Sequence, residues 1–95
     1  MKPKKEITPK LIKKYKKLTR EALKEVKKNI FKEKEKQAKE IINMVENYLS
    51  DSEYFEKKED LINCFGAIYY SHGWIDCGVR LGIFNVSDDK LFTIK

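Results

Sequence analysis

Between Phe65 and Phe84 the chain reads FGAIYYSHGWIDCGVRLGIF, an apolar, aromatic run that holds all four glycines and only three strongly polar side chains, His72, Asp76 and Arg80. A helix built from it is apolar nearly all round, and such a helix has to be surrounded. At about 100° per residue, Leu61, Phe65, Ile68, His72, Ile75 and Val79 fall within roughly 40° of one line, which predicts a core stripe with a histidine in its middle. Tyr70, Trp74, Cys77 and Leu81 lie on the far side, where a solvated helix would carry charges. Two neighbouring helices do not suffice to cover such a surface. The C-terminal segment or a second copy of the chain is expected to supply the rest, and Tyr70, Trp74 and Leu81 are the candidate protein-contact residues.

The glycines add a second constraint. Gly66 and Gly73 share one face, while Ala67, Ser71, Gly78 and Gly82 make another small-residue strip. Each glycine inside a helix costs about 1 kcal/mol relative to alanine, so close packing or a ligand must offset them. Close helix packing is the favoured reason, a small-ligand groove the other.

His72, Asp76 and Arg80 are spaced by four, which sets them in one slanting row on a helix. In a functional site His72 would move protons, Asp76 would orient it and Arg80 would bind an anion. The structural alternative makes Asp76 and Arg80 a helix ion pair and His72 a core histidine satisfied by Asp76, Tyr15 or Tyr48. That alternative is preferred, because no nucleophile accompanies the row. His72, Asp76 and Arg80 therefore stand as ligand-binding candidates, with no catalytic residue assigned and no cofactor. Metal is not expected either: Cys64, His72 and Cys77 lack the short spacings of zinc ligands, and there is no second histidine.

Leu61–Ile83 is long enough to cross a bilayer, but Asp76 and Arg80 would each cost about 2.5–3.5 kcal/mol near its centre. A buried helix of a soluble protein is the better reading. The N-terminus MKPKKEITPK has no apolar run of the secretory kind. On one helix Cys64 and Cys77 would stand about 20 Å apart, beyond disulfide reach, so a reducing cytoplasm is expected.

Upstream, Thr8-Pro9 reads as an N-cap followed by proline in the first turn. Leu11, Tyr15, Leu18, Ala22 and Val26 then recur at helical steps over about 20 residues. A second helix carries Ala38, Ile41, Ile42, Val45, Tyr48 and Leu49. A short turn near 29–34 is expected between the two, since one unbroken rod would leave its apolar stripe uncovered. Asp60 is the candidate cap of the third helix, expected over about 59–82 with Gly82 as its stop. Residues 1–7 are expected as a basic flexible tail, 8–84 as the bundle, and 85–95 as a segment that packs back through Leu91-Phe92-Thr93-Ile94.

Charge is unevenly placed: residues 1–40 carry +10 and residues 41–95 carry −4 of the net +6. Lys10, Lys13, Lys17, Arg20, Lys24 and Lys27 form a stripe along the first helix that could track a phosphate backbone. Glu21 and Glu25 interrupt it, and no aromatic residues interleave to stack bases, so a solvated Lys/Glu face is favoured. Lys and Glu dominance is also a composition seen in proteins of heat-loving organisms.

The run Tyr70…Gly73-Trp74-Ile75-Asp76…Gly78-Val79-Arg80-Leu81-Gly82, with the Phe55-Glu56-Lys57 turn and Phe65-x-Ala67 before it, resembles an archaeal family of small proteins, domain-of-unknown-function family 357. The resemblance covers roughly residues 38–84. It implies a compact up-and-down helical bundle in an archaeal cytoplasm, with no assigned activity and no site residues to carry over. Ser71-His72 and Cys77 depart from the pattern, which argues against a shared catalytic role for His72.

The expectation is thus an all-α, up-and-down three-helix bundle with a short C-terminal extended segment. It is read as a cytoplasmic, non-enzymatic interaction or scaffold module, paired as a homodimer or with another protein. Nucleic-acid binding through the first helix is the alternative from a different class, and a small-ligand site around Asp76 and Arg80 the third reading.

Overall fold

A computed structural model describes residues 4–92. Part of the tail expected over 1–7, and Thr93-Ile94 of the C-terminal segment, lie outside the described residues.

Three helices form where local signals place them: α1 (Pro9–Lys28), α2 (Glu35–Lys57) and α3 (Leu61–Arg80). Thr8 caps α1 by accepting from the Leu11 backbone N–H at 3.1 Å, and Pro9 follows where its missing N–H is not needed. Asn29 closes α1, its side-chain amide donating to the Glu25 carbonyl at 2.7 Å. Asp60 caps α3 by accepting from Asn63 N–H at 3.1 Å.

Two helices end on the same device. At the α3 terminus Gly82 takes φ +74, Ile83 N–H donates to the Gly78 carbonyl and Gly82 N–H to that of Val79. This is a Schellman motif, and it turns the chain so that Ile83 and Phe84 fold under the helix. The α2 terminus repeats it with Glu59 at φ 58, where Asp60 N–H donates to the Phe55 carbonyl. There a side chain occupies a conformation that suits glycine better.

The chain after α3 then runs past the α1–α2 connection. Phe31 N–H donates to the Ile83 carbonyl at 3.0 Å and Asn85 N–H to that of Asn29 at 2.7 Å, an antiparallel bridge pairing Ile30 with Phe84. Among the described residues no strand forms. The structure is therefore all-α, three packed helices, with one backbone tie where their loops meet.

α3 is the central element: it packs against both α2 and α1, whereas α1 and α2 make little direct contact. The main core joins Leu23 and Val26 of α1, Ile41, Val45 and Leu49 of α2, Ile75 of α3, and then Ile83, Phe84 and Phe92. A smaller cluster of Ile12, Cys64 and Ile68 lies between α1 and α3. Between α1 and α2 the join is electrostatic: Lys16 pairs with Glu53 and Glu56, Arg20 with Glu53, and Lys27 with Glu46.

The buried face of α3 differs from the expected stripe. Its buried residues are Cys64, Ala67, Ile68, Ser71, Ile75 and Gly78, whereas Leu61, Phe65, His72 and Val79 are half-buried. The face is rotated by roughly 70° toward the small residues. The reason is steric: α2 approaches most closely where side chains are short, and the bulky residues flank that contact. The buried hydroxyls are satisfied within their own helices, Ser71 donating to the Ile68 carbonyl and Ser52 to that of Leu49.

Candidate functional site

The four glycines serve different ends. An added Cβ at Gly78 would sit 2.5 Å from Phe84 Cε2 and 3.0 Å from Ile41 Cδ1, so only glycine admits the Phe84 ring. At Gly66 and Gly73 a Cβ would meet nothing within 4 Å. Those two open onto a side of α3 that no other element covers.

That side is markedly apolar. Ile62 is 76% exposed, Leu81 67%, Tyr70 54% and Tyr69 52%, all on α3 or at its C-cap. Cys77 is exposed among them as a free thiol. Of the three residues expected at a protein contact, Tyr70 and Leu81 lie in this surface. Trp74 is half-buried and packs on the main core, with its ring 6.4 Å from that of Tyr70. Tyr48 of α2 braces Tyr70 edge-on at 4.6 Å, and Tyr15 of α1 lies against Tyr69 and Phe65. Ile62 and Tyr69 belong to the surface as well, although the sequence pattern singles out neither as a contact. Their signal is angular: at about 100° and 80° from Leu61, Ile62 and Tyr69 lie beside Gly73 and Gly66, at about 120° and 140°.

His72 sits at the edge of this surface, beside Tyr69 and Gly73, where α1, α3 and the chain after α3 converge. Its Nε2 lies 2.7 Å from the Leu91 carbonyl and its Nδ1 2.9 Å from Thr19 Oγ1. A carbonyl can only accept, so Nε2 carries the proton and donates. In the neutral ring Nδ1 then accepts from the Thr19 hydroxyl. Thr19 is buried, so this bond also satisfies a hydroxyl that has no water to turn to. His72 thereby ties α3 to α1 on one side and to the returning chain on the other. Neither Tyr15 nor Tyr48 takes the partner role expected from the sequence. Thr19 is legible there only as a lone hydroxyl seven residues after Ile12 on the inner face of α1.

Asp76 Oδ1 stands 4.0 Å from His72 Nε2, longer than a hydrogen bond. Both residues line a cavity of about 310 Å³ with Tyr15, Thr19, Tyr69 and Leu91 among its walls. Arg80 does not line it and is exposed. The row read from the sequence is thus divided: two members at the cavity, one on the open surface. The Tyr69 hydroxyl is held above its ordinary value by its hydrogen bond to Tyr15 and by burial. Burial, then the nearby Glu56 charge, pushes the Cys64 thiol up, so it is a poor thiolate. Among the described residues no group of three or more His, Cys, Asp or Glu could hold a metal ion.

The basic stripe of α1 is also divided. Arg20 and Lys27 are committed to the ion pairs with α2, while Lys10, Lys13, Lys17 and Lys24 are exposed. Burial alone would pull Lys16 down, but its hydrogen bonds to Glu56 and Glu53 outweigh that and leave it above 10.5. Glu53 is held below 4.5, first by the hydrogen bond from Lys16, which burial opposes, and further by the hydrogen bond from Arg20.

The fold and these surfaces define a small all-α protein, and no helix among the described residues is long and apolar enough to cross a membrane. Its family follows from the sequence: residues 14–84 match the family described as protein of unknown function (DUF357), and the chain belongs to that family. No curated protein and no solved structure matches it.

Proposed function

We propose that this protein is a cytoplasmic, non-enzymatic interaction module whose docking surface is the open face of α3. The observation that carries the reading is the concentration of Ile62, Tyr69, Tyr70 and Leu81, each more than half exposed, on one side of one helix. Single surface apolar residues need no explanation, whereas four large ones on one side of a single helix are the kind of surface a contact uses. The aromatic members are rigid and bury large area for little lost freedom, as interface anchors do. His72 supports the same reading from the other direction. Both of its ring nitrogens are engaged by protein groups, so acid–base work would first break the tie to Leu91.

A selection of amphipathic helical peptides against the immobilised protein tests this, at a surface density too low for copies to pair. Peptides that bind the wild type and not an Ile62→Glu/Leu81→Glu variant are expected. No enrichment, or equal binding to both, overturns the reading.

The nucleic-acid alternative keeps Lys10, Lys13, Lys17 and Lys24 as its contacts and loses Arg20 and Lys27 to α2. Titration of labelled RNA and DNA at low and high salt decides it, since phosphate-driven binding weakens steeply with salt and no binding at low salt ends it. A small ligand would use the cavity at His72 and Asp76. At about 310 Å³ it lies at the small end of ligand sites.

A further inference from the structure

The cations of α1 are sorted by what faces them. At about 100° per residue, with Ile12 as zero, Lys13, Lys24, Lys17, Lys10 and Lys28 fall between about 100° and 160°. No other residue of the helix falls in that arc, so it is lysine from end to end. Lys16, Lys27 and Arg20 come next, at about 40° to 80°, and they turn to α2. There Lys16 meets Glu53 at 3.2 Å and Lys27 meets Glu46 at 2.7 Å, while Arg20 also pairs with Glu53. Glu46, Glu53 and Glu56 of α2 thus engage an inner rank of cations. Lys10, Lys13, Lys17, Lys24 and Lys28 form an outer rank. All are exposed, and among the described residues none of them is in an ion pair. Glu21 and Glu25, which interrupt the basic stripe in the linear sequence, stand at about 180° and 220°, beyond the edge of the arc.

The outer rank runs the length of α1, with Lys10 and Lys28 about 27 Å apart along its axis. Lys13 with Lys17, and Lys24 with Lys28, are like charges one turn apart, which weakens a helix. A polyanion laid along the rank removes that repulsion. The side chains also select its kind. The arc holds no aromatic residue to stack an unpaired base, as surfaces for single strands do. It holds no arginine to read guanine and no apolar residue to enter a lipid surface. Lysine ammonium groups offer point contacts to phosphates. A duplex presents those at about one charge per 1.7 Å of axis, with its bases already stacked on one another.

We propose that Lys10, Lys13, Lys17, Lys24 and Lys28 are a second binding surface, which takes the phosphate backbone of a double-stranded nucleic acid without regard to sequence. This narrows the nucleic-acid alternative to one rank of side chains and one form of nucleic acid. It lies on α1 and does not depend on the face of α3.

The test is fluorescence anisotropy of the full chain with a labelled duplex of about 20 base pairs over a range of salt. Five phosphate contacts give a slope of log K on log salt of about −4.5, so a fourfold rise in salt should weaken binding by about 500-fold. Lys13→Gln/Lys17→Gln/Lys24→Gln leaves two contacts and should bring the slope to about −2. Lys32→Gln/Lys36→Gln/Lys39→Gln removes the same charge from other exposed positions and should keep the slope near that of the wild type. Both variants should keep the helical circular dichroism spectrum, since glutamine and lysine have similar helix propensities.

No binding at the lowest salt overturns the proposal. A control variant that loses as much slope as the rank variant overturns the rank and leaves net charge alone as the cause. A single strand of the same sequence that binds more tightly than the duplex overturns the choice of duplex. Polyglutamate that competes as well as the duplex, charge for charge, overturns the assignment to nucleic acid. None of these results bears on the peptide selection against α3, so the two readings fail separately.

Discussion

The two sides of α3 use the same residue types to opposite ends. On the side turned inward, Ala67, Ser71 and Gly78 are small so that α2 and the Phe84 ring can come close. On the side turned outward, Gly66 and Gly73 are small with nothing beside them, among four large apolar residues that stand in water. One set of small residues is explained by a contact inside the protomer. The other is not explained within the protomer, where a Cβ at either glycine would meet nothing within 4 Å. A small residue in a helix therefore carries a meaning that depends on what lies across from it.

The strongest way to break this contrast is to empty the inward side. Phe84 is 1% exposed and fills the space over Gly78, so Phe84→Ala should destabilise by about 3–5 kcal/mol in chemical denaturation. Next, Gly78→Ala forces a Cβ against that ring and should destabilise by about 1–3 kcal/mol. In the Phe84→Ala background the same change should cost much less, and simple additivity of the two would contradict the packing described.

The outward side should respond with the reverse sign. Gly66→Ala, measured at a dilution that keeps the chain monomeric, should stabilise by about 0.5–1 kcal/mol, since it restores helix propensity and meets no neighbour. A loss there would mean that the outward side is covered within the protomer. The smallest effect separates α3 from the edge between α1 and α2. Glu53 is held below its ordinary 4.5, so its contribution is present above about pH 4.5 and fades as pH falls through the lowered value. Acid titration should therefore lower stability slightly, and Glu53→Gln should flatten that dependence while leaving the effects at Gly78 and Gly66 unchanged.

Much of this was legible before any coordinates. The Thr8-Pro9 start, the Asp60 cap and the Gly82 stop are signals read within four residues of themselves, and each acts on backbone groups that local sequence can reach. The break near 29–34 was expected on a different ground, that one unbroken rod would leave its apolar stripe uncovered, and its bounds were not marked locally. The rotation of the core stripe was not. Bulk and hydrophobicity point to Phe65 and Val79, but the contact of lowest energy is set by which faces let two helix axes approach. The partners of His72 were illegible too: Thr19 lies 53 residues away and Leu91 19 residues away, and no periodicity links them.

By itself the sequence determined three helices, the start of the first, the start and stop of the third, the family, and the demand that the apolar helix of residues 61–80 be surrounded. Those properties follow from local capping and from the period of the side chains. Only the tertiary structure decided which face of that helix is buried, that His72 is a clasp between α1 and Leu91, and that Gly78 is filled while Gly66 and Gly73 stand open. These depend on which surfaces, distant in the chain, fit closely enough to exclude water. Burial is a property of pairs of surfaces, and a single helix does not contain its partner.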